Sequence, residues 1–344
     1  MRQNLTSNIH PIKLSQNENP FGPSPKALKA IAASAPDVFR YPDLFHLELK
    51  QKIAAAQGVG AEQIVLGAGS IELIDICIKA LSRPGDSIVT AEVTFEGYRI
   101  MALNNDRAVK LAPLQHYAVN LSGLKALCDE MTRIVFVANP NNPTGSMLTH
   151  NEFSDFLASL PSEVFVISDE AYKEYITDAH FPKSLDLQRV HPNLVIFRTF
   201  SKIYGLAGLR LGYAIASPEV AQTINRRRTP FSVSGMAAAA AYAALDDQDY
   251  VEKCVSVNAG ERDSLFRVLL RLGYNAMEPK GNFIFIDFQT TKEKDELFEH
   301  LKKHNIHIRK LDNFGVHTGL RITVGRPEDN RILVDVLEKF SALE

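Results

Sequence analysis

Arg198-Thr199-Phe200-Ser201-Lys202-Ile203-Tyr204-Gly205-Leu206-Ala207-Gly208-Leu209-Arg210 is the stretch on which the reading of this chain turns. The residues before it, Leu194-Val195-Ile196-Phe197, are apolar and rich in β-branched side chains, so a buried strand is expected to end where Thr199 and Ser201 present hydroxyls. Lys202 then sets a primary amine at the strand mouth, a group that forms an imine with a carbonyl compound. Gly205 and Gly208 let the backbone turn tightly enough for Arg210 to double back toward the same anion. Hydroxyls, one amine and one guanidinium at a strand end suit an aldehyde that also carries a phosphate. Taken alone, the stretch also reads as a solvated basic loop, because lysine is usually exposed.

Outward from it, between residues 43 and 234, short apolar runs alternate with helical periodicity. Strands are expected at 64–66, 87–91, 108–111, 134–138, 164–168, 194–197 and 211–216, and helices at 44–57, 71–81, 95–104, 121–128 and 151–160. This alternation predicts an α/β large domain, a mostly parallel sheet flanked by helices, with ligands at the carboxyl ends of the strands. After 234 the texture changes. Helices at 237–245, 250–272 and 330–340 and strands at 284–287 and 320–324 predict a smaller α+β domain. The expected division is 1–42 as an N-terminal arm with part of the small domain, 43–234 as the large domain and 235–344 as the small one. A length of 344 residues, 45% of them hydrophobic, fits roughly two domains of about 150 residues. The proline-rich run Asn17-Glu18-Asn19-Pro20-Phe21-Gly22-Pro23-Ser24-Pro25 reads as an irregular segment wrapping across the cleft.

Composition removes several function classes. A formal charge of -2 offers no basic field for nucleic acid, and Arg226-Arg227-Arg228 is the one basic run, read as a helix end or a weak contribution to the cleft. No apolar run reaches membrane-spanning length, and Met1-Arg2-Gln3-Asn4-Leu5 lacks the core of a signal peptide, so a cytoplasmic location is expected. Cys77, Cys128 and Cys254 are widely spaced and read as buried thiols, and the histidines show no metal-ligand spacing, so no metal is expected.

Three further constellations fall at strand ends. Gly67-Ala68-Gly69-Ser70 opens an apolar helix, so its backbone amides and the Ser70 hydroxyl form an anion seat; a serine-capped turn would look the same. Gly67-x-Gly69 also begins a dinucleotide fingerprint, but Glu72 stands where the third glycine is needed for close helix–strand packing. Asn139-Pro140-Asn141-Asn142-Pro143-Thr144-Gly145 is a turn that can hold the Asn142 amide toward a ligand. Asp169-Glu170-Ala171-Tyr172 puts an acid at the sheet edge with a phenol three residues on; the acid would keep a pyridine nitrogen protonated and the phenol would bind a ring hydroxyl, or the pair is a helix cap and a packed tyrosine.

These strings, together with Tyr41-Pro42-Asp43 and Leu320-Arg321-Ile322-Thr323-Val324-Gly325, occur in a family order. The chain resembles the pyridoxal-phosphate aminotransferases of the aspartate-aminotransferase fold, and among them the histidinol-phosphate aminotransferase group, over essentially its whole length. The resemblance implies pyridoxal 5'-phosphate as cofactor. Lys202 would be its covalent anchor and proton carrier, Asp169 the partner of its ring nitrogen, and Asn142 and Tyr172 the partners of its ring hydroxyl. Phe95 and Ala171 would sandwich the ring. Ala68, Gly69, Ser70, Thr199, Ser201 and Arg210 would hold the phosphate, and Tyr41 would reach the phosphate of a partner subunit, which implies a homodimer with shared sites. Arg321, helped by Arg309, would grip the anionic group of a small-molecule substrate. An arginine in a run as apolar as 320–324 needs an anion in any case. For Arg309, a salt bridge to a nearby carboxylate is the other reading.

One position departs from the family pattern: Phe21 stands where a tyrosine is usual, removing a hydroxyl near the substrate and favouring an aromatic or aliphatic one. Threonine-phosphate decarboxylases and aromatic aminotransferases share the motifs. A nucleotide-dependent oxidoreductase and a noncatalytic regulator module are the readings from other classes.

Overall fold

The computed structural model describes residues 11–342; residues 1–5, read above for a leader, lie outside them. A seven-stranded sheet dominates, in the spatial order Ile64–Gly67, Gly212–Ile215, Leu194–Thr199, Phe165–Asp169, Thr132–Ala138, Ser87–Ala91 and Ala108–Ala112. Gly212–Ile215 runs antiparallel to both its neighbours, and the other pairings are parallel. Both faces are covered, as parallel strands require. Along Thr132–Ala138, Val135 and Val137 pack into one core while Ile134, Phe136 and Ala138 pack into the other, the period-2 alternation of a strand buried on both sides.

Register fixes where the site lies. Ala138 is level with Asp169, Asp169 with Phe197, and Thr199 with Gly212, which is itself level with Gly67. The polar residues at these strand ends therefore share one edge of the sheet. Helix Gly69–Leu81 begins two residues earlier than its periodicity suggested, because Gly69, at φ +78°, turns the chain directly out of the strand.

A second, four-stranded antiparallel sheet has the order Arg309–Lys310, Gly319–Thr323, Phe283–Asp287, Asn275–Ala276. Its apolar face packs with helices Gln248–Arg271, Thr291–Lys303 and Pro327–Ser341. Ile12–Lys13 pairs in parallel with Ile306–His307, so the amino-terminal segment joins this layer before crossing to the cleft.

Four helices were not expected. Pro25–Ser34 follows the proline-rich run: Pro25 stands in its first turn and Ser24 caps it, accepting the Ala27 amide at 3.2 Å. Ser184–Val190 and Pro218–Asn225 are short, and the latter is capped by Ser217. Thr291–Lys303 is mostly polar, which hid it, and a Thr290/Glu293 capping box closes its start. No helix among the described residues is long and apolar enough to cross a membrane. Cys77 and Cys254 are buried, whereas Cys128 is only half-buried.

Candidate active site

A cavity of about 390 Å³ opens at the shared strand edge. Asp169, Ala171, Tyr172, Asn142, Phe95, Ser70, Thr199, Ser201, Lys202 and Arg210 line it, together with Gln16, Glu18 and Tyr98 from outside the expected set.

Asp169 is a strongly perturbed acid there. Its side chain is buried, and burial pushes its pKa up from 3.8 to about 6. Opposing that, Tyr98 Oη donates to its Oδ2 at 2.8 Å and the Ala171 amide to its Oδ1 at 3.2 Å. Tyr98 is held by stacking on Phe136, ring centroids 4.7 Å apart, and by an edge contact with Phe95 at 5.5 Å. Asp169 thus has two donors and forms no ion pair among the described residues. A carboxylate in that condition calls for a cation.

Lys202 Nζ donates to the Gln16 carbonyl at 2.9 Å and lies 5.6 Å from the centre of the Tyr172 ring. Tyr172 Oη accepts from Asn17 Nδ2 at 3.0 Å. Asn17 is fully buried at φ +54°, and its amide and side chain both engage the Thr323 hydroxyl at 3.0 Å. The segment expected to wrap the cleft is tied to the second sheet through Asn17 and to the loop after Lys202 through Asn19, whose Nδ2 donates to the Ile203 carbonyl at 2.7 Å; the lysine itself meets Gln16, just before the segment.

Ser201, Thr199 and Ser70 line the cavity together with Arg210, whose Nη1 lies 3.5 Å from Ser201 Oγ. Arg210 adopts φ +55°, and its Nη1 donates to the Ala207 carbonyl at 2.9 Å. A Cβ on Gly69 would fall 2.4 Å from Arg210 Nη2, so the guanidinium lies directly against the helix start. The expected anion seat needs one correction. The Ala68 amide donates to the Glu72 carboxylate, because a helix start attracts an acid of its own first turn as readily as a ligand, and neither Ala68 nor Gly69 lines the cavity. Ser70 lines it, and Gly69 lies against Arg210.

Arg321 reaches the site through Asn142. Its Nη1 donates to Asn142 Oδ1 and its Nη2 to the Ser15 carbonyl at 2.7 Å, while Nε is buried without a partner. Burial lowers its pKa to about 10, with Arg309 adding repulsion. Arg309 is directly opposite Arg321 in the strand register, which puts two cations side by side on one face. Arg309 forms no salt bridge among the described residues; its guanidinium sits 6.0 Å from the Phe314 ring centre.

Other expected residues stand apart from this chain's cavity. Tyr41 is 84% exposed, its ring 5.0 Å from that of Phe231. Phe21 does not line the cavity; Asn19 Oδ1 accepts its amide at 3.1 Å, Tyr250 Oη donates to its carbonyl at 3.0 Å, and its ring packs on the large core. The run 226–228 also misses the cleft, since Arg226 caps a helix and Arg228 Nη2 donates to the Leu44 carbonyl at 3.0 Å. Among residues the sequence did not suggest, Tyr98 matters most. Phe95, two residues before helix Gly97–Asn104, meets its ring edge-on, but nothing in the local sequence marks the hydroxyl as part of the site.

These groups fit pyridoxal phosphate. The buried carboxylate lacks a cation, as a pyridinium partner should. The Gly69 edge accommodates a guanidinium that a side chain would displace, beside three hydroxyls suited to a phosphate.

A parallel-type sheet with an amine, a buried acid and a phosphate seat along one edge defines the pyridoxal-phosphate aminotransferase fold class. The sequence matches aminotransferase class I and II over residues 9–337, and the chain belongs to that family. It is 40% identical over 333 residues to a histidinol-phosphate aminotransferase of Moorella thermoacetica, covering 96% of this chain and 86% of that protein. To histidinol-phosphate aminotransferase 2 of Pseudomonas aeruginosa it is 42% identical over 334 residues, 96% and 89% of the two chains. The histidinol-phosphate aminotransferase of Sinorhizobium meliloti, solved in complex with pyridoxal-5'-phosphate, superposes with a TM-score of 0.89 at 28% identity, covering 96% of this chain and 92% of that one. The protein is a pyridoxal-phosphate-dependent aminotransferase.

Proposed function

We propose that this enzyme interconverts histidinol phosphate and its oxo form, imidazole acetol phosphate, using glutamate and 2-oxoglutarate as the second pair, as a cytoplasmic homodimer. The observation that carries the reading is the Arg321–Arg309 pair. Like charges opposite each other on a strand pair are unfavourable, and one of these has a buried, unsatisfied donor. A phosphate dianion answers both needs at once. The names of the relatives, at about 40% identity over nearly the whole chain, point the same way.

When bound, pyridoxal phosphate supplies an electron sink for the electrons of the substrate's α-carbon. In this reading Asp169 holds the ring nitrogen, Tyr172 and Asn142 the ring hydroxyl, and Phe95 and Ala171 its two faces. Gly69, Ser70, Thr199, Ser201 and Arg210 hold the phosphate. Lys202 Nζ, released from the Gln16 carbonyl, removes the α-proton as general base. Arg321 fixes the substrate so that this proton faces the amine. The exposed phenol of Tyr41, among exposed Phe39 and Phe45, supports its delivery to a partner's phosphate site. The reading keeps 1–42 as an arm, 43–234 as the cofactor domain and 235–344 as the small domain.

The test mixes holoenzyme with histidinol phosphate, phenylalanine or threonine phosphate, and follows amino transfer to 2-oxoglutarate and release of carbon dioxide. Fast transfer from histidinol phosphate is expected. Transfer from phenylalanine alone, or carbon dioxide from threonine phosphate, would reject the assignment.

A further inference from the structure

Lys50 and Arg228 meet at a cavity of about 590 Å³ that is separate from the one just described. Leu44, Phe45, Pro218 and Pro230 give it apolar walls, and Asn225 lies beside the two cations. Lys50 Nζ has one hydrogen-bond partner among the described residues, Asn225 Oδ1, at the long distance of 3.5 Å. Arg228 uses Nη2 on the Leu44 carbonyl, and its Nε is buried with no partner among the described residues. Neither cation is in a salt bridge among the described residues. The carboxylates whose charge Arg228 feels, Glu72 and Asp43, are engaged by backbone amides: Glu72 by Ala68, and Asp43 by Phe45 and Leu47. Glu62 and Glu219 also line the cavity but are exposed at its rim. Burial first, and Arg228 second, brings the Lys50 ammonium down to about 8.

Two partly desolvated cations that repel each other, one with an unsatisfied donor, are an unfavourable arrangement unless an anion sits between them. The apolar walls argue for an anion with an organic body. We infer that the Lys50–Arg228 cavity is a binding site for a small organic oxyanion, a phosphate or carboxylate carried on an apolar group. This inference does not depend on the substrate proposed for the catalytic cavity.

The test is calorimetric titration of the cofactor-loaded protein in an Arg321→Met background, so that the catalytic arginine does not report. Phenyl phosphate, benzoate and inorganic phosphate are the probes. One phenyl phosphate should bind per chain, more tightly than inorganic phosphate. Lys50→Met and Arg228→Met should each weaken it by about tenfold or more, the worth of a charge-assisted hydrogen bond. The double change Glu62→Gln/Glu219→Gln, at exposed positions that do not threaten folding, should tighten it. Affinity unchanged in both cation variants, or weakened by the rim change, overturns the site. So does the absence of binding by any probe at about 10 mM, weaker than any useful affinity. Equal binding of phenyl phosphate and inorganic phosphate overturns the organic ligand.

Discussion

Replacing Tyr98 with Phe removes one hydroxyl and leaves the ring, so the stack on Phe136 and the edge contact with Phe95 persist. What goes is the 2.8 Å donation to Asp169 Oδ2. A hydrogen bond to a charged group contributes about 1.5–3 kcal/mol, and at 1.36 kcal/mol per pKa unit its loss raises the Asp169 pKa by about one to two units. The native value is about 6. A raised carboxylate pKa stabilises the cofactor-free fold below 3.8 and loses that contribution as pH rises through about 6. The cofactor's ring cation has the opposite preference, because it pairs with the ionised acid. Cofactor affinity should therefore fall as the pH drops through about 6 in the native protein, and through roughly 7 to 8 in Tyr98→Phe. At pH 7 the variant should bind about two- to tenfold more weakly, recovering near pH 9. Equilibrium dialysis of pyridoxal phosphate against cofactor-free protein from pH 5 to 9 measures this, in a Lys202→Ala background so that covalent attachment contributes nothing. Asp169→Asn serves as control and should flatten the transition. A Tyr98→Phe midpoint that coincides with the native one, or lies below it, refutes the reasoning.

The remaining predictions concern the other corners of the cavity. Lys202→Ala should retain cofactor noncovalently but lose the yellow absorbance and turnover; unchanged turnover would remove Lys202 from the chemistry. Gly69→Ala carries a Cβ to within 2.4 Å of Arg210 Nη2 at φ +78°. Thermal unfolding should report a loss of about 1–2 kcal/mol from the backbone alone, and dialysis a weaker hold on the cofactor. Arg321→Met should raise KM for a phosphate-bearing substrate by about 10- to 100-fold, the worth of a charged hydrogen bond, while the cofactor spectrum stays intact. A KM unchanged in that variant would move the anion site elsewhere.

What the sequence made legible was whatever a strand end and its next few residues could carry. Lys202, Asp169, Tyr172, Asn142 and Ser70 each follow an apolar run closely, and parallel strands bring such ends to one edge, so local reading places them in one cavity. The antiparallel course of Gly212–Ile215 was available on the same terms. Only residues 200–211 separate it from Leu194–Thr199, with no α-helix between, and a parallel return needs a crossover. Local pattern fails where partners are distant in the chain. The Asn17–Thr323 tie spans 306 positions and the Asn142–Arg321 contact 179, and nothing in either neighbourhood specifies the other. Tyr98 was hidden differently: inside helix Gly97–Asn104 its aromatic ring reads as core, which it is, and the hydroxyl's task depends on Asp169 lying 71 residues on. The exposed Tyr41 is the converse case. Its motif was readable, yet within one chain the phenol is 84% exposed beside Phe231, and only the proposed dimer would give it a surface to meet. The residues that sequence reading misplaces or overlooks are thus those whose role is set by a third party, whether another element, a ligand or another subunit, and these are also the positions where a single substitution is most informative.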